Sequence, residues 1–295
     1  MLTQIMVPLD GSAVAERALP CAAAVARACG ATLHLVRVVT AMEYLTWEPV
    51  PAFTPPDVYE AVLQEATTYL AAHQQRLSAT GLTVRTAVPV ATVGASLLDD
   101  ERDAGIDLVV LCSHGRTGLA RFALGSVAER LLHDGAAPLL LVRAFGPPLA
   151  LDRAVVPLDG SVRAEQALAV LAALAGVAVR AVTLLRMIAT GAEQQEAEYY
   201  LAQIARHLPA TLAVDCRVEQ GDPAACIAIA AGATGLVVMA THGRMGVTRW
   251  ALGSVADRVA HSGVAGVLLL RPQRTQTLPV TGERGAACET MPGRL

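Results

Sequence analysis

Apolar residues in this chain occur either as short unbroken runs or as longer stretches with helical spacing. Residues 108–111 are an unbroken apolar run, as a parallel strand covered on both faces requires. Residues 13–29 instead repeat Ala, Leu and Val at helical intervals and end at Gly30. Strand and helix patterns alternate in this way along the chain. Crossovers of these lengths predict a parallel sheet with helices on both faces.

The same order of elements occurs twice. The first half predicts strands at residues 4–9, 32–39, 82–90, 108–111 and 138–142, with helices at 13–29, 57–78, 95–104 and from Ser126. The second half predicts strands at 154–158, 178–187, 211–219, 235–240 and 264–270, with helices at 162–175, 193–207, 223–231 and 253–261. We therefore expect two tandem open five-stranded parallel sheets with helices on both faces. The expected domains are residues 1–146 and 151–272, joined by a Gly-Pro-Pro linker.

Two segments lack this periodicity. Residues 41–56 contain four prolines and are expected to be irregular. Residues 273–295 are rich in Thr, Gly, Pro and Arg, and this composition predicts a disordered tail.

The two halves are most alike in one loop and the helix that follows it. Residues 113–133 and 241–261 are identical at more than half of their aligned positions, including the Gly-Ser pairs at 125–126 and 253–254. Packing alone would preserve apolar positions rather than glycines. Ser126 is expected to cap its helix, and Gly125 allows another group to approach the backbone closely. The N–H groups at such a helix start attract phosphate, so we interpret the loop as a ligand site that is present twice.

A second repeated motif, Pro-Leu-Asp-Gly-Ser, ends the first strand of each half. Its aspartates, Asp10 and Asp159, are expected at the carboxyl ends of strands, where open parallel sheets bind ligands. If the first and fourth strands are neighbours, each aspartate faces the crevice and can accept hydrogen bonds from a ribose or a base. The aspartate can instead form an Asx turn with the following Gly-Ser, and the two roles are compatible.

Composition excludes several classes of protein. The net charge of −3 and the 3% of aromatic residues argue against nucleic-acid binding. Apolar runs of about eight residues are much shorter than the roughly 20 residues that a membrane helix needs. The six cysteines show no C-x-x-C spacing, and we expect a cytoplasmic protein. The acidic run Asp99, Asp100 and Glu101 is expected to be a solvated face rather than a catalytic carboxylate pair.

With these motifs, the sequence resembles the universal stress protein family in its tandem two-domain form. The nucleotide signature of that family is Gly, two residues, Gly, nine residues, Gly, then Ser or Thr. The two halves read Cys112-x2-Gly115-x9-Gly125-Ser126 and Ala240-x2-Gly243-x9-Gly253-Ser254. The spacing matches in both halves, but a small residue replaces the first glycine each time. Because cysteine is bulkier than alanine, the first site is expected to be the weaker one if the two differ.

The resemblance implies a Rossmann-like fold of the adenine nucleotide alpha hydrolase type, with ATP or another adenine nucleotide, with or without Mg, in each half. The implied contacts in the first half are Pro8, Leu9, Asp10, Val38, Cys112, His114, Gly115, Arg116, Gly118, Gly125, Ser126 and Val127. In the second half they are Pro157, Leu158, Asp159, Met187, Ala240, His242, Gly243, Arg244, Gly246, Gly253, Ser254 and Val255.

The function that this resemblance implies is nucleotide-dependent stress response or signalling with little or no turnover. One alternative is a weak ATPase or phosphotransfer enzyme that uses His114 or His242. Another is a dimerisation module without nucleotide, which the residues at 112 and 240 leave open. The expected partners are an adenine nucleotide and either a second copy or the other half of the chain, in contact through the fifth strands or the faces beside them. Nucleic acid and membrane are not expected.

Overall fold

The computed structural model describes residues 2–40, 56–112, 125–241 and 252–271. The strands of the first lobe are β1 (Gln4–Pro8), β2 (Thr32–Val36), β3 (Val84–Ala87), β4 (Leu108–Cys112) and β5 (Leu139–Val142). Its helices are α1 (Ala18–Cys29), α2 (Pro56–Ser78), α3 (Val93–Asp103) and α4 (Ser126–Asp134).

The second lobe repeats this order. Its strands are β6 (Arg153–Pro157), β7 (Ala181–Ile188), β8 (Ala213–Gln220), β9 (Leu236–Ala240) and β10 (Gly266–Leu270). Its helices are α5 (Val162–Glu165), α6 (Ala167–Leu174), α7 (Gln194–Arg206), α8 (Pro223–Ala231) and α9 (Ser254–His261).

Within the described ranges, the strands of both lobes form one continuous sheet of ten strands in the order β3-β2-β1-β4-β5-β10-β9-β6-β7-β8. Within each lobe all pairs are parallel, as predicted. The lobes join through β5 and β10, which pair antiparallel with Leu140 opposite Leu268. Of the two contacts predicted from the sequence, the fifth strands or the faces beside them, the structure has the contact between the fifth strands. The two five-stranded sheets therefore meet edge to edge.

Helices cover both faces of the sheet, which confirms the α/β class. Leu70 of α2 and Leu201 of α7 belong to the core on one face, together with α1 and α6. Leu97 of α3 and Ile227 of α8 belong to the core on the other face, together with α4 and α9. Every residue of β4 is buried, because side chains on both of its faces are covered.

Two helices differ from their predicted bounds. The first begins as a 3₁₀ turn at Ala15–Arg17 and becomes α-helical only at Ala18. The helix predicted at 162–175 is interrupted at Gln166, which leaves α5 as a single turn before α6. Residues 41–55 and the predicted tail at 273–295 lie outside the described part of the chain.

The acidic run on α3 is not uniformly solvated. Asp99 is exposed, but Glu101 is only 5% exposed, so the prediction of a solvated face is wrong for Glu101. Its Oε1 atom accepts hydrogen bonds from the backbone N–H groups of Ala136 (2.6 Å) and Ala137 (2.7 Å). Glu101 therefore ties α3 to the segment between α4 and β5. Burial, followed by the nearby Asp103 and Asp99 charges, raises the pKa of Asp100.

In the described ranges, no helix has both the length and the hydropathy that crossing a bilayer requires.

Candidate functional site

Strand order reverses beside β1 and again beside β6. β1 lies between β2 and β4, with Ile5 opposite Leu108. β6 likewise lies between β7 and β9, with Ala154 opposite Leu236. The first and fourth strands of each lobe are thus neighbours, as the proposed crevice required. A reversal of this kind opens a crevice at the carboxyl ends of the strands.

Asp10 follows β1 at this crevice and forms an Asx turn. Its Oδ1 atom accepts hydrogen bonds from the backbone N–H (2.9 Å) and the hydroxyl (2.6 Å) of Ser12. Gly11 has a φ of 82°, which a residue with a Cβ rarely adopts. The Ser12 hydroxyl oxygen in turn accepts from the N–H of Ala15 (3.1 Å). The half-buried carboxylate is therefore held in a fixed orientation.

The second lobe repeats this turn at the end of β6. Oδ1 of Asp159 accepts from the N–H of Ser161 (3.0 Å), and Gly160 has a φ of 79°. Ser161 caps α5 by accepting from the N–H of Ala164 (3.1 Å). The Asx-turn interpretation is thus correct for both aspartates. The turn also fixes where each carboxylate points, which is compatible with the ligand role that remains a prediction.

No described side chain caps either of the helices that follow the repeated loop. Gly125 is the N-cap of α4 with φ −64° and ψ 150°, and its carbonyl accepts from Glu129 N–H (2.9 Å). Gly253 precedes α9 in the same way, with φ −59° and ψ 145°. Ser126 is the first helical residue and is exposed, so the expectation that it caps α4 is wrong. The cause is the extended backbone of Gly125, which places the cap one residue earlier.

This arrangement matters because the first N–H groups of a helix have no acceptor within the helix. In the described residues no side chain of the N-cap satisfies them in α4 or α9. Backbone donors at the positive end of the helix dipole suit an anion such as phosphate. Val127 and Val255, the second residues of these helices, are half-buried.

The other described candidates lie in the last two residues of a strand or one to two residues beyond its end. Cys112 ends β4 and Ala240 ends β9, and each is 8% exposed. Val38 lies two residues past β2 and is also 8% exposed, whereas its counterpart Met187 lies within β7 and is half-buried. The remaining members are the strand-end residues Pro8, Leu9, Pro157 and Leu158.

Eight predicted contacts of the loops lie outside the described residues: His114, Gly115, Arg116, Gly118, His242, Gly243, Arg244 and Gly246. Among the residues that the structure does describe, no group of three or more His, Cys, Asp or Glu side chains could hold a metal ion.

Sequence reasoning missed a second duplicated group of side chains beside the aspartates. Its members are Glu16, Arg37 and Tyr69 in the first lobe, and Glu165, Arg186 and Tyr200 in the second. Each glutamate follows its site aspartate by the same interval, and each arginine directly precedes the predicted strand-two contact. That repetition was the available signal. It is weak, because single charged residues at strand ends are common.

The universal stress protein family model matches residues 1–143 and 150–271, which together make up most of the chain. This chain belongs to the universal stress protein family. A universal stress protein of Mycolicibacterium smegmatis is 30% identical over 298 residues, covering 91% of this chain and 97% of that protein. The universal stress protein Rv2005c of Mycobacterium tuberculosis is 29% identical over 301 residues, covering 90% and 96%.

Solved structures of universal stress proteins share the tandem fold. One from Archaeoglobus fulgidus superposes with a TM-score of 0.72 at 17% identity, covering 92% of this chain and 98% of that chain. A putative universal stress protein from Pseudomonas aeruginosa UCBPP-PA14 gives a TM-score of 0.66 at 18% identity, covering 92% and 94%. The Rossmann-like architecture of both lobes is therefore that of the family.

Proposed function

We propose that this protein binds an ATP-type adenine nucleotide in each lobe and acts in stress response or signalling with little or no turnover. One observation carries the proposal. Each lobe has an oriented aspartate after its first strand and, after its fourth strand, a helix start that no described side chain caps, and these two strands are neighbours.

The chemistry of these groups fits the two ends of a nucleotide. Asp10 and Asp159 offer carboxylate oxygens to the hydroxyl groups of a ribose or to the amino group of a base. The amide groups at the starts of α4 and α9 offer donors and positive potential to the phosphates. The apolar residues Leu9 and Val38 follow the neighbouring strands β1 and β2 in the first lobe, and both are buried. Any Mg would enter with the phosphates.

The positions of the two site aspartates support the proposal of low turnover. Hydrolysis needs a base within reach of a water at the terminal phosphate. In the proposed pose Asp10 and Asp159 lie at the ribose end, so neither supplies that base. The predicted bound state is therefore an intact nucleotide that changes the conformation or the partner choice of the protein.

The first test is to identify what the purified protein holds and binds. We expect denaturation to release an adenine nucleotide, and isothermal titration calorimetry of the stripped protein to show two ATP sites per chain. Absence of nucleotide, with no thermal shift on adding Mg-ATP, would instead favour the dimerisation module. Sustained ADP production that is lost in the His114→Ala, His242→Ala double variant would favour the enzyme.

The second test removes one site. Gly253 has a φ of −59°, which valine also adopts, so Gly253→Val keeps the backbone and places a branched side chain where the phosphates approach. We expect the ATP stoichiometry to fall from two to one. Gly191→Val is the matched control, because Gly191 is exposed in the same lobe with only an ordinary contact to Gln220. Unchanged stoichiometry in Gly253→Val contradicts the mapped phosphate site.

A further inference from the structure

Beside each site aspartate lies the duplicated glutamate, arginine and tyrosine group, which nucleotide contacts do not use. The arginine guanidinium stands over the tyrosine ring in both lobes, at 5.4 Å for Arg37 and Tyr69 and 4.9 Å for Arg186 and Tyr200. A cation over an aromatic face within about 6 Å is an attractive arrangement. Each tyrosine ring is therefore held by an arginine at the end of the second strand of its lobe.

The glutamate is engaged differently in the two lobes. In the second lobe the Tyr200 hydroxyl donates to Oε1 of Glu165 at 2.8 Å. Burial, together with the hydrogen bond to Glu165, raises the pKa of Tyr200, so the phenol keeps the proton that it donates. A hydrogen bond to an ionised carboxylate is among the stronger kinds in proteins.

In the first lobe a histidine takes the place of this hydrogen bond. Nε2 of His73 lies 3.3 Å from Oε1 of Glu16, and His73 is 6% exposed. The residue at the same interval after Tyr200 is Ile204. The Tyr69 hydroxyl is buried and makes no hydrogen bond to any residue that the structure describes. Burial, then the charge and the polar interaction of the nearby Glu16 carboxylate, and then the charge of Asp10 raise the pKa of Tyr69.

The helices that carry these glutamates also differ. Glu165 ends α5, a helix of 4 residues whose cap, Ser161, is bonded to Asp159. Gln166, which lies between α5 and α6, keeps helical dihedral angles (φ −60°, ψ −24°), so α5 continues into the 8 residues of α6. In the first lobe the 3₁₀ turn that contains Glu16 runs directly into the 12 residues of α1. Each turn is thus supported by the helix that follows it, and the second turn is held in addition by the hydrogen bond from Tyr200.

We propose that Tyr200 is a positioning residue for the second nucleotide site: its hydroxyl fixes α5 through Glu165 and thereby sets the direction of Asp159. In the first lobe Tyr69 lies near Glu16 without a hydrogen bond of this geometry, and His73 contacts that carboxylate. This inference rests on the proposed nucleotide function, since the oriented carboxylate is the group that meets the ribose or base. The second site is accordingly organised by a contact that the first site does not have.

The experiment compares Tyr200→Phe with Tyr69→Phe in the full chain. Gly125→Val is added to the first variant so that only the second site reports, and Gly253→Val to the other so that only the first site reports. We expect Tyr200→Phe to weaken ATP binding about tenfold by calorimetry, the effect of losing one hydrogen bond to a charged group. Tyr69→Phe removes a hydroxyl without a hydrogen bond and should leave ATP affinity unchanged.

Two further readouts separate positioning from general damage. Inorganic tripolyphosphate reaches only the helix start, so its affinity should not change in Tyr200→Phe; an equal loss for ATP and tripolyphosphate overturns the positioning role. Glu165→Gln keeps an acceptor oxygen for Tyr200 and should bind ATP almost as well as the unaltered chain.

Failure of this inference can be told apart from failure of the proposed function. If the unaltered second site binds ATP and Tyr200→Phe binds it equally well, the positioning role is wrong and the nucleotide function stands. Hydrogen exchange in the ligand-free chain adds a readout that needs no nucleotide: Tyr200→Phe should speed exchange of the α5 amides, and unchanged exchange overturns the anchoring. If neither lobe binds a nucleotide, the proposed function fails, and the role assigned to Asp159 fails with it.

Discussion

At the scale of single residues, Asp10 and Asp159 illustrate why one side chain can serve the fold and a ligand together. One oxygen of each carboxylate accepts a hydrogen bond from the N–H of the serine two residues later, and the glycine between the two residues adopts a positive φ. The turn costs the carboxylate some of its capacity to accept hydrogen bonds but removes its freedom to rotate. A ligand that meets this group does not have to order it first.

Glu101 gives a direct test of a buried acceptor. Removing its carboxylate in Glu101→Ala leaves the N–H groups of Ala136 and Ala137 without their acceptor. We expect a loss of about 3 kcal/mol in the free energy of unfolding, measured by urea denaturation. Asp103→Ala, an exposed acidic residue on the same helix, should change it by less than about 0.5 kcal/mol. Equal effects of the two changes would contradict the structural role of Glu101.

The burial of Glu101 also shows what the sequence could not predict. Within the acidic run 99–103, nothing in the local pattern separates Glu101 from its neighbours. Its partner Ala136 is 35 residues away, and the contact exists only once α3 and α4 are packed side by side. The Asx turns, by contrast, were predictable, because Asp, Gly and Ser act on one another within three residues.

At the scale of elements, the strands were predicted well where their burial is uniform. β4 and β9 are buried along their whole length, and an unbroken apolar run describes such a strand directly. Helix starts were predicted less well. Periodicity describes the face that a helix buries but not the turn in which it begins, so the 3₁₀ turn before α1 and the break at Gln166 had no distinct signal.

One pair of helices in the second lobe is linked by an ion pair at its exposed ends. Asp222 caps α8 by accepting a hydrogen bond from the N–H of Ala225 (2.9 Å). Its two carboxylate oxygens also accept hydrogen bonds from the two terminal nitrogens of Arg258 on α9 (2.6 and 2.7 Å). The counterpart of Arg258 in α4, Arg130, pairs instead with Asp134 of its own helix. Arg258 therefore ties α9 to α8, whereas Arg130 pairs within α4.

This ion pair predicts a pH dependence. The hydrogen bond from Arg258, and then that from Ala225, lowers the pKa of Asp222. A lowered folded-state pKa gives stability that is present above the unfolded value of about 4 and is lost as the pH falls through the folded value. We expect Asp222→Asn to lower the melting temperature at neutral pH, and this deficit to shrink progressively as the pH falls below about 4. Asp215→Asn, in the exposed pair with Arg217 on β8, is the control; a deficit of the Asp222 variant that persists in acid would contradict this origin.

At the scale of the whole molecule, the lobes are held together at the centre of the sheet. All four residues of β5 are buried, and β10 covers its outer edge. The hydrogen bonding extends to the flanking arginines: Arg143 donates to the carbonyl of Gly263, and Arg271 donates to that of His133. Each arginine follows the fifth strand of its own lobe and reaches the region where the last helix of the other lobe ends.

The isolated first lobe should therefore not remain a monomer. A fragment of residues 1–148 would expose the β5 edge, an apolar strand that needs a partner. We expect it to self-associate in sedimentation experiments, with β5 of a second copy in the place of β10, whereas the full chain covers the same edge internally. A fragment that is folded and monomeric at micromolar concentration would contradict this prediction.

The antiparallel seam between β5 and β10 also governs how other molecules can reach this protein. Every strand of one lobe runs antiparallel to every strand of the other. The crevices at the carboxyl ends of the strands therefore open at opposite ends of the molecule. A rigid molecule that contacts the crevice of one lobe cannot reach the crevice of the other lobe from the same side. Molecules that bind at the two crevices would therefore approach the chain from opposite ends and would not obstruct each other.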